Sequence, residues 1–320
     1  MAVYDFPPVV RIEPASACNL KCSHCPTGVV KMVREVMPEE VFERVLQGLE
    51  RNREKIRVVV MYHGGEPLLN KRFPEMVRRV KAIGIPFVKT VSNGMMLTEK
   101  VGAELLESGL DAIEFSMDGQ SPEENDRVRR NAEYFQVRDN VLRFLDMRKA
   151  AGSSIEVAVS TTQFVTMGKD VGEPPIPEYI SRDFERYSDT IQWKAVWAVQ
   201  WPAGQPERGY DRLWDDSSPN TATSCDLLTD TISVRASGTV VACCYDLTTL
   251  SDLGSVLDAH LDEIWYNESF QEFRRRFAER DYPEVCKNCA RVTGSKYLMP
   301  REDDEVGREF RMSETVANRV

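Results

Sequence analysis

No apolar run in the 320-residue chain approaches the roughly 20 residues that a membrane-spanning helix needs. The opening stretch, MAVYDFPPVVRIEP, holds an acidic residue and prolines but neither a basic start nor an apolar core. No signal peptide is therefore visible, and a cytoplasmic location with no membrane partner is expected. A basic excess is missing too: the net charge is −10. Nucleic-acid binding, which calls for a basic face, is not expected, and an acidic chain suits a cationic small-molecule substrate. Cysteine is absent from residue 26 to residue 224, which leaves the eight cysteines in two groups, three within residues 18–25 and five between 225 and 289. A disulfide framework belongs to small secreted chains, so thiols clustered in this way point to metal or redox chemistry. Apolar residues make up 42% and charged residues 29%, close to globular averages, which argues against disorder. The length allows a large domain and a small one.

Runs rich in β-branched and aromatic residues at 9–12, 57–61, 87–91, 112–117, 155–160 and 191–198 predict strands. Between them, apolar residues fall at helical spacing, as in Val41, Val45, Leu46 and Leu49, or Val141, Leu142 and Leu145. Pro38 followed by Glu39 and Glu40 marks a helix start, and Gly109 and Gly152 stand where helices should stop. Strand and helix in alternation imply right-handed βα units on a parallel sheet, an α/β fold. In such an arrangement the chemistry gathers at the C-terminal ends of the strands. CNLKCSHC follows the first predicted strand, HGGEP the second, SNG the third and SMDG the fourth.

The spacing C-x3-C-x2-C puts Cys18, Cys22 and Cys25 on one short loop. Three thiolates can ligate three irons of a cubane and leave the fourth iron open for a cofactor. A zinc site would want a fourth Cys or His, and the nearby His24 lies between two of the thiols and would crowd the loop. With GGEP after the second strand, CNLKCSHC resembles the radical S-adenosylmethionine superfamily. The resemblance covers residues 9–198 and implies a partial (β/α)6 TIM barrel with a [4Fe–4S] cluster. In that family the open iron is chelated by S-adenosylmethionine, whose reductive cleavage gives a 5′-deoxyadenosyl radical. The resemblance further implies that Gly64, Gly65 and Glu66 receive the methionine amino group, glycines allowing close approach and a carboxylate suiting an ammonium. It puts Ser92 and Asn93, with Ser116 and Asp118, near the ribose and carboxylate. Arg129 becomes the partner of the carboxylate and His24 a ring near the adenine. An electron donor such as flavodoxin or ferredoxin is implied as a partner.

In the second group, Cys225 and Cys243 are followed by Cys286 and Cys289, with Cys244 spare. Four thiolates from a hairpin and a later loop suit zinc or an iron–sulfur cluster equally on spacing alone. The hairpin ISVRASGTVVACC with its turn at Ser237–Gly238, a helix over 261–277 carrying Ile264 and Trp265, and the final C-x2-C resemble the twitch module, a shortened SPASM domain. That resemblance implies one auxiliary [4Fe–4S] cluster on Cys225, Cys243, Cys286 and Cys289. Cys244 is then either a small buried residue or a hydrogen-atom donor. The expected organisation is a barrel over 1–200, a linker or covering loop over 201–224, the auxiliary module over 225–300 and a tail over 301–320. Only seventeen residues precede Cys18, which speaks against a leader-binding peptide maturase. The chain is most similar in kind to dehydrogenases of aminocyclitols, aminoglycosides and sugars, as in antibiotic biosynthesis, or to radical epimerases of such molecules.

Overall fold

The structure is a computed structural model, and it describes residues 4–165, 172–202, 210–213, 221–287, 289–292 and 297–300. Six parallel strands follow one another across a curved sheet: β1 (Val9–Ile12), β2 (Val58–Val60), β3 (Phe87–Ser92), β4 (Ala112–Ser116), β5 (Glu156–Gln163) and β6 (Gln192–Trp197). All six stand where the β-branched runs predict them. Their outward positions, such as Val88 and Thr90 on β3 or Ile113 and Phe115 on β4, are buried beneath helices. The alternate positions face the concave side, as the two-residue period of a strand requires.

The covering helices repeat the logic at their own period. Glu39–Arg51 is entered from Pro38 and buries Val41, Phe42, Val45 and Leu49. Glu99–Leu106 is capped by Thr98, whose side chain accepts from the Val101 N–H. Tyr134–Ala150 buries Val137, Val141, Phe144 and Leu145. Each such apolar side chain contributes about 1.5–3 kcal/mol over its exposed state, which is why the inward stripe outweighs mediocre helix formers like valine. Gly109 and Gly152, at φ of 81° and 60°, end helices in the left-handed conformation expected of them.

The C-terminal segment is not a free-standing lobe. After Tyr210–Leu213 (β7), strand β8 (Thr231–Val234) pairs in parallel with β1, Val9 opposite Thr231 and Ile12 opposite Val234. With β9 (Val240–Val241) turning back on β8, the sheet runs β6-β5-β4-β3-β2-β1-β8-β9. The barrel therefore stays open, with β6 at one edge. Gly238, at φ 92°, makes the predicted hairpin turn. The predicted helix over 261–277 is divided into Leu261–Trp265 and Glu268–Ala278. Asn267 causes the break: its side chain accepts from the Phe270 N–H at 2.7 Å and donates to the Leu253 carbonyl, also at 2.7 Å.

A final strand, β10 (Tyr297–Pro300), returns to pair with β7. Residues 210–213, inside the expected linker, thus belong to a two-stranded flap. The flap packs Tyr210 and Leu298 on Val128, Phe164 and Ala198. The expected tail, 301–320, lies outside the described residues.

Candidate active site

Beyond β1 the chain passes Glu13 and runs through residues 14–17 to the cysteine loop. Gly65 lies flat against this run: a Cβ there would stand 2.2 Å from the Ala15 carbonyl oxygen and 2.5 Å from that of Ala17. Only glycine allows the approach, and it lets the Glu66 N–H donate to the Ala17 carbonyl at 2.9 Å. The Glu66 carboxylate is buried and accepts from the Leu68 N–H at 3.0 Å, the Ser92 hydroxyl at 2.9 Å and the Asn93 N–H at 2.8 Å. Burial raises its pKa against these donors. Glu66 thus ties the loop after β2 to the loop after β3.

Asn93 continues the connection. Its side-chain amide donates to Asn19 at 2.8 Å and stands 3.9 Å from the Cys18 sulfur. The cysteine loop is held from the other side by residues 128–130: the Lys21 and Ser23 N–H groups each donate to backbone carbonyls there at 2.9 Å. Arg129 lies on that stretch, buried, with its guanidinium 2.7 Å from Asp118. The second oxygen of Asp118 accepts from the Thr162 N–H at 2.8 Å. Burial works to raise Asp118, but the charge of Arg129 and its hydrogen bonds outweigh it and hold it ionised. His24 stands 3.7 Å from Asp118 and edge-on to Phe164, ring centroids 5.7 Å apart. Burial lowers its pKa, so it is a neutral ring. Ser116 sits on the concave face, 3.5 Å from the Ser160 hydroxyl.

The three thiols are near enough to act on one another's charge, and burial pushes Cys18 up to about 11 and Cys22 up to about 12, with Arg129 pulling both downward. Hydrogen bonds and close contacts join Glu66, Ser92 and Asn93 to the cysteine loop and Asp118 to Arg129 and His24, while Ser116 meets Ser160. Gly64 is held as well, its N–H donating to Glu13 at 2.8 Å.

Glu13 was not legible as a site residue, yet it joins the two cysteine groups. Its other oxygen accepts from Arg235 Nε at 2.7 Å and from the Ala236 N–H at 2.9 Å. Burial alone would raise it, but His63 and Arg235 hold it down to about 2. The His63 ring stands 3.5 Å away, and burial lowers its own pKa. The first residue of HGGEP was the only local signal of this cluster. Arg235 begins the hairpin turn that leads to Cys243 and Cys244. Asp246 fixes the loop after these cysteines by accepting from Leu250 N at 2.8 Å, Ser251 N at 2.7 Å and the Ser251 hydroxyl at 2.6 Å.

Cys243 is buried and, like Cys286, raised by desolvation and by its neighbouring thiols; Cys289 is raised by burial and feels Cys225 and Cys244. Cys244 is half-buried and stands with the auxiliary thiols. Next to it, Tyr245 meets the Trp201 ring, centroids 5.2 Å apart. Among the described residues, no three Cys, His, Asp or Glu side chains converge on one point as a single-ion site would need. A cubane takes each thiolate on a different iron, whereas a single ion gathers them on one point.

The concave face below these loops carries Lys89, Glu114 and Lys194, with Arg11 beside them. The acidic excess of the chain does not extend here. Glu156 lines the same cleft, so its wall carries two lysines and two carboxylates.

The radical SAM superfamily model matches residues 12–180. The chain belongs to the radical SAM superfamily. The SPASM iron–sulfur cluster-binding domain matches residues 225–290, so this radical SAM protein carries an auxiliary-cluster module. Among curated relatives, the GTP 3',8-cyclase of Chlorobaculum tepidum is 32% identical over 177 residues, 53% of this chain and 48% of the relative. That of Limosilactobacillus fermentum is 32% identical over 143 residues, 41% of this chain and 40% of the relative. The chain spans about half the length, or less, of the curated relatives it matches.

Among solved structures, anSMEcpe with bound AdoMet superposes with a TM-score of 0.62 at 16% identity, over 98% of this chain and 96% of that one. BtrN in complex with AdoMet and 2-DOIA gives 0.57 at 18% identity, over 91% of this chain and 95% of that one. At such identities the likeness is one of fold. The radical SAM domain binds S-adenosylmethionine and a [4Fe–4S] cluster, and the SPASM module an auxiliary cluster. The three neighbouring thiols of the cysteine loop, with Asn93 and Arg129 beside them, are a donor set that fits such a cluster. Among the described residues no helix is long and apolar enough to cross a membrane.

Proposed function

We propose that this radical SAM enzyme takes a hydrogen atom from a carbinol carbon of a small polar, sugar-like molecule and oxidises it to a ketone. Cys18, Cys22 and Cys25 hold the first cluster, and Cys225, Cys243, Cys286 and Cys289 the auxiliary one. When bound, the first cluster and S-adenosylmethionine would supply the hydrogen-abstracting radical; the hydroxyl proton would pass to solvent, and the auxiliary cluster would take up the one electron left on the substrate. A flavodoxin or ferredoxin serves as donor for the first cluster.

The observation that carries this reading is the continuous set of contacts from Gly65 through Glu66 and Asn93 to Cys18, linked by Glu13 to the hairpin of the second thiol group. Gly64 and Gly65 offer backbone to the cofactor's amino group, while Glu66, already three times hydrogen-bonded, mainly orients them. Asn93 directs its amide across the loop of Cys18. Ser116 and His24 line the way to the ribose and adenine. Arg129, fixed by Asp118 and buried beside Cys22, opposes the negative charge gathered there and meets the cofactor's carboxylate. An aminoglycoside or aminocyclitol substrate is not favoured by the cations of the concave face, which would repel its ammonium groups.

Epimerisation is the second reading. It would use Cys244 as hydrogen donor, and the contact of the adjacent Tyr245 with Trp201, just beyond β6, puts that turn on the barrel side. The two are separated by incubating the anaerobically reconstituted enzyme with reductant, S-adenosylmethionine and a panel of sugars, sugar phosphates and aminocyclitols in deuterated water. A product lighter by two hydrogens supports oxidation. An isomer carrying one carbon-bound deuterium refutes it in favour of epimerisation.

A further inference from the structure

The concave face of the sheet holds a cleft of about 190 Å³ lined by side chains of β3, β4, β5 and β6. Lys89 stands at its centre, on the inward register of β3 between the buried Val88 and Thr90. Lys194, on β6, lines the same cleft and is paired with Glu114 at 2.6 Å. Arg11, two strands from Lys89 in register through Val60, stacks on Tyr62 with its guanidinium carbon 4.8 Å from the ring centroid. One arginine nitrogen donates to the Tyr62 carbonyl at 3.3 Å, and its buried Nε has no partner.

The charges acting on Lys89 are Lys194 and Arg11, both repulsive, and Glu114, attractive. Glu156 also lines the cleft, where it accepts from the Gln192 amide at 3.2 Å. Among the described residues no carboxylate lies within ion-pairing distance of Lys89 or Arg11, and the single carboxylate that approaches is taken by Lys194. Three cations, Lys89, Lys194 and Arg11, thus stand with two carboxylates, Glu114 and Glu156, and neither carboxylate pairs with Lys89 or Arg11, in a chain whose net charge is −10. Interspersed ion pairs would relieve that repulsion; an anionic ligand relieves it equally well, and a guanidinium and an ammonium are the groups that bind oxyanions best.

We propose that this cleft is the oxyanion subsite of the substrate pocket, and that the substrate is a small molecule bearing a phosphate or carboxylate group. The proposal rests on the radical reading, since it takes the barrel's concave face as the substrate site. At about 3.3 Å per residue along a parallel strand, Glu114 lies roughly 7 Å below Ser116, and Lys89 roughly 13 Å below Asn93.

The test is calorimetric titration of pyrophosphate, and separately of malonate, into the reconstituted holoenzyme with S-adenosylmethionine present. At least one of the two should bind once per chain, pyrophosphate alone marking a phosphate ligand and malonate alone a carboxylate. Lys89→Met should weaken that binding about tenfold or more, as loss of a charged hydrogen bond does, and Lys89→Arg should restore most of it. Arg11→Gln gives an independent reading should Lys89→Met fail to fold. Binding of neither anion, or affinities in Lys89→Met and Arg11→Gln equal to wild type, overturns the proposal. Formation of 5′-deoxyadenosine by the same wild-type preparation separates the two failures: its absence sinks the radical reading, whereas its presence without anion binding sinks only the oxyanion subsite.

Discussion

Replacing Gly65 with alanine tests the site's construction at its tightest point. The added methyl would meet the carbonyl oxygens of Ala15 and Ala17 at 2.2 and 2.5 Å and the carbonyl carbon of Ser16 at 2.7 Å. All three are backbone atoms, so no side chain can swing aside, and the loop must retreat by about 1 Å to reach ordinary contact at 3.4 Å. That retreat breaks the 2.9 Å hydrogen bond from Glu66 to Ala17 and carries Glu66 away from Ser92 and Asn93. Overpacking of this kind costs about 1–3 kcal/mol, while a displacement of about 1 Å at a reacting centre costs on the order of a hundredfold in rate. Gly65→Ala should therefore lose about a hundredfold in 5′-deoxyadenosine formation while remaining folded.

Gly84→Ala is the matched control. At φ 94° and with nothing within 4 Å of a new Cβ, it strains the backbone by about 1–2 kcal/mol far from the site. Its thermal midpoint should fall and its rate should hold. If Gly65→Ala cleaves S-adenosylmethionine at the wild-type rate, the argument that the glycine seats the cofactor loop is wrong.

Asp118→Asn leaves Arg129 buried without its carboxylate, a loss of about 3–5 kcal/mol; calorimetry should show a much lower unfolding temperature, and an unchanged one would contradict the pairing. Glu13 has a folded pKa near 2 against an ordinary 4.5, so its ionised form stabilises the fold by about 3 kcal/mol. That contribution is complete above pH 4.5 and lost as pH falls toward 2. The stability gap between wild type and Glu13→Gln in urea titrations should close over that range, and a constant gap would refute the assignment. Cys243→Ala should lower bound iron from about eight to about four atoms per chain, whereas Cys244→Ala should keep about eight; the reverse pattern would exchange their roles.

Much of the barrel could be read from the chain because its signals are local. A run such as VVRI or FVKTVS needs no distant partner to look like a strand, and Gly109 and Gly152 mark helix ends by themselves. The cysteine loop and HGGEP were legible for the same reason, each being one short segment with its chemistry in consecutive residues. What escaped notice depends on contacts made late in the chain. Glu13 and Arg235 are 222 residues apart and have no meaning separately, so neither their ion pair nor the docking of β8 on β1 could be inferred from either segment. Net charge averages the whole surface and carries no information about the mixed charges on the concave face. Arg11, Lys89, Glu114 and Lys194 are single residues on four strands, and only the register of the sheet assembles them. The division of the helix at Asn267 was hidden in a continuous apolar period, since its cause is a side-chain bond to Leu253 on another segment.

The central claim is that the loop of Cys18, Cys22 and Cys25 supports reductive cleavage of S-adenosylmethionine. The most direct measurement is 5′-deoxyadenosine release by the anaerobically reconstituted, reduced enzyme, compared with a variant in which all three cysteines are alanine. The account predicts 5′-deoxyadenosine from the wild type and none from the variant, with the auxiliary iron retained in both. Equal release from the two proteins, or none from a wild type holding its full iron, would contradict it.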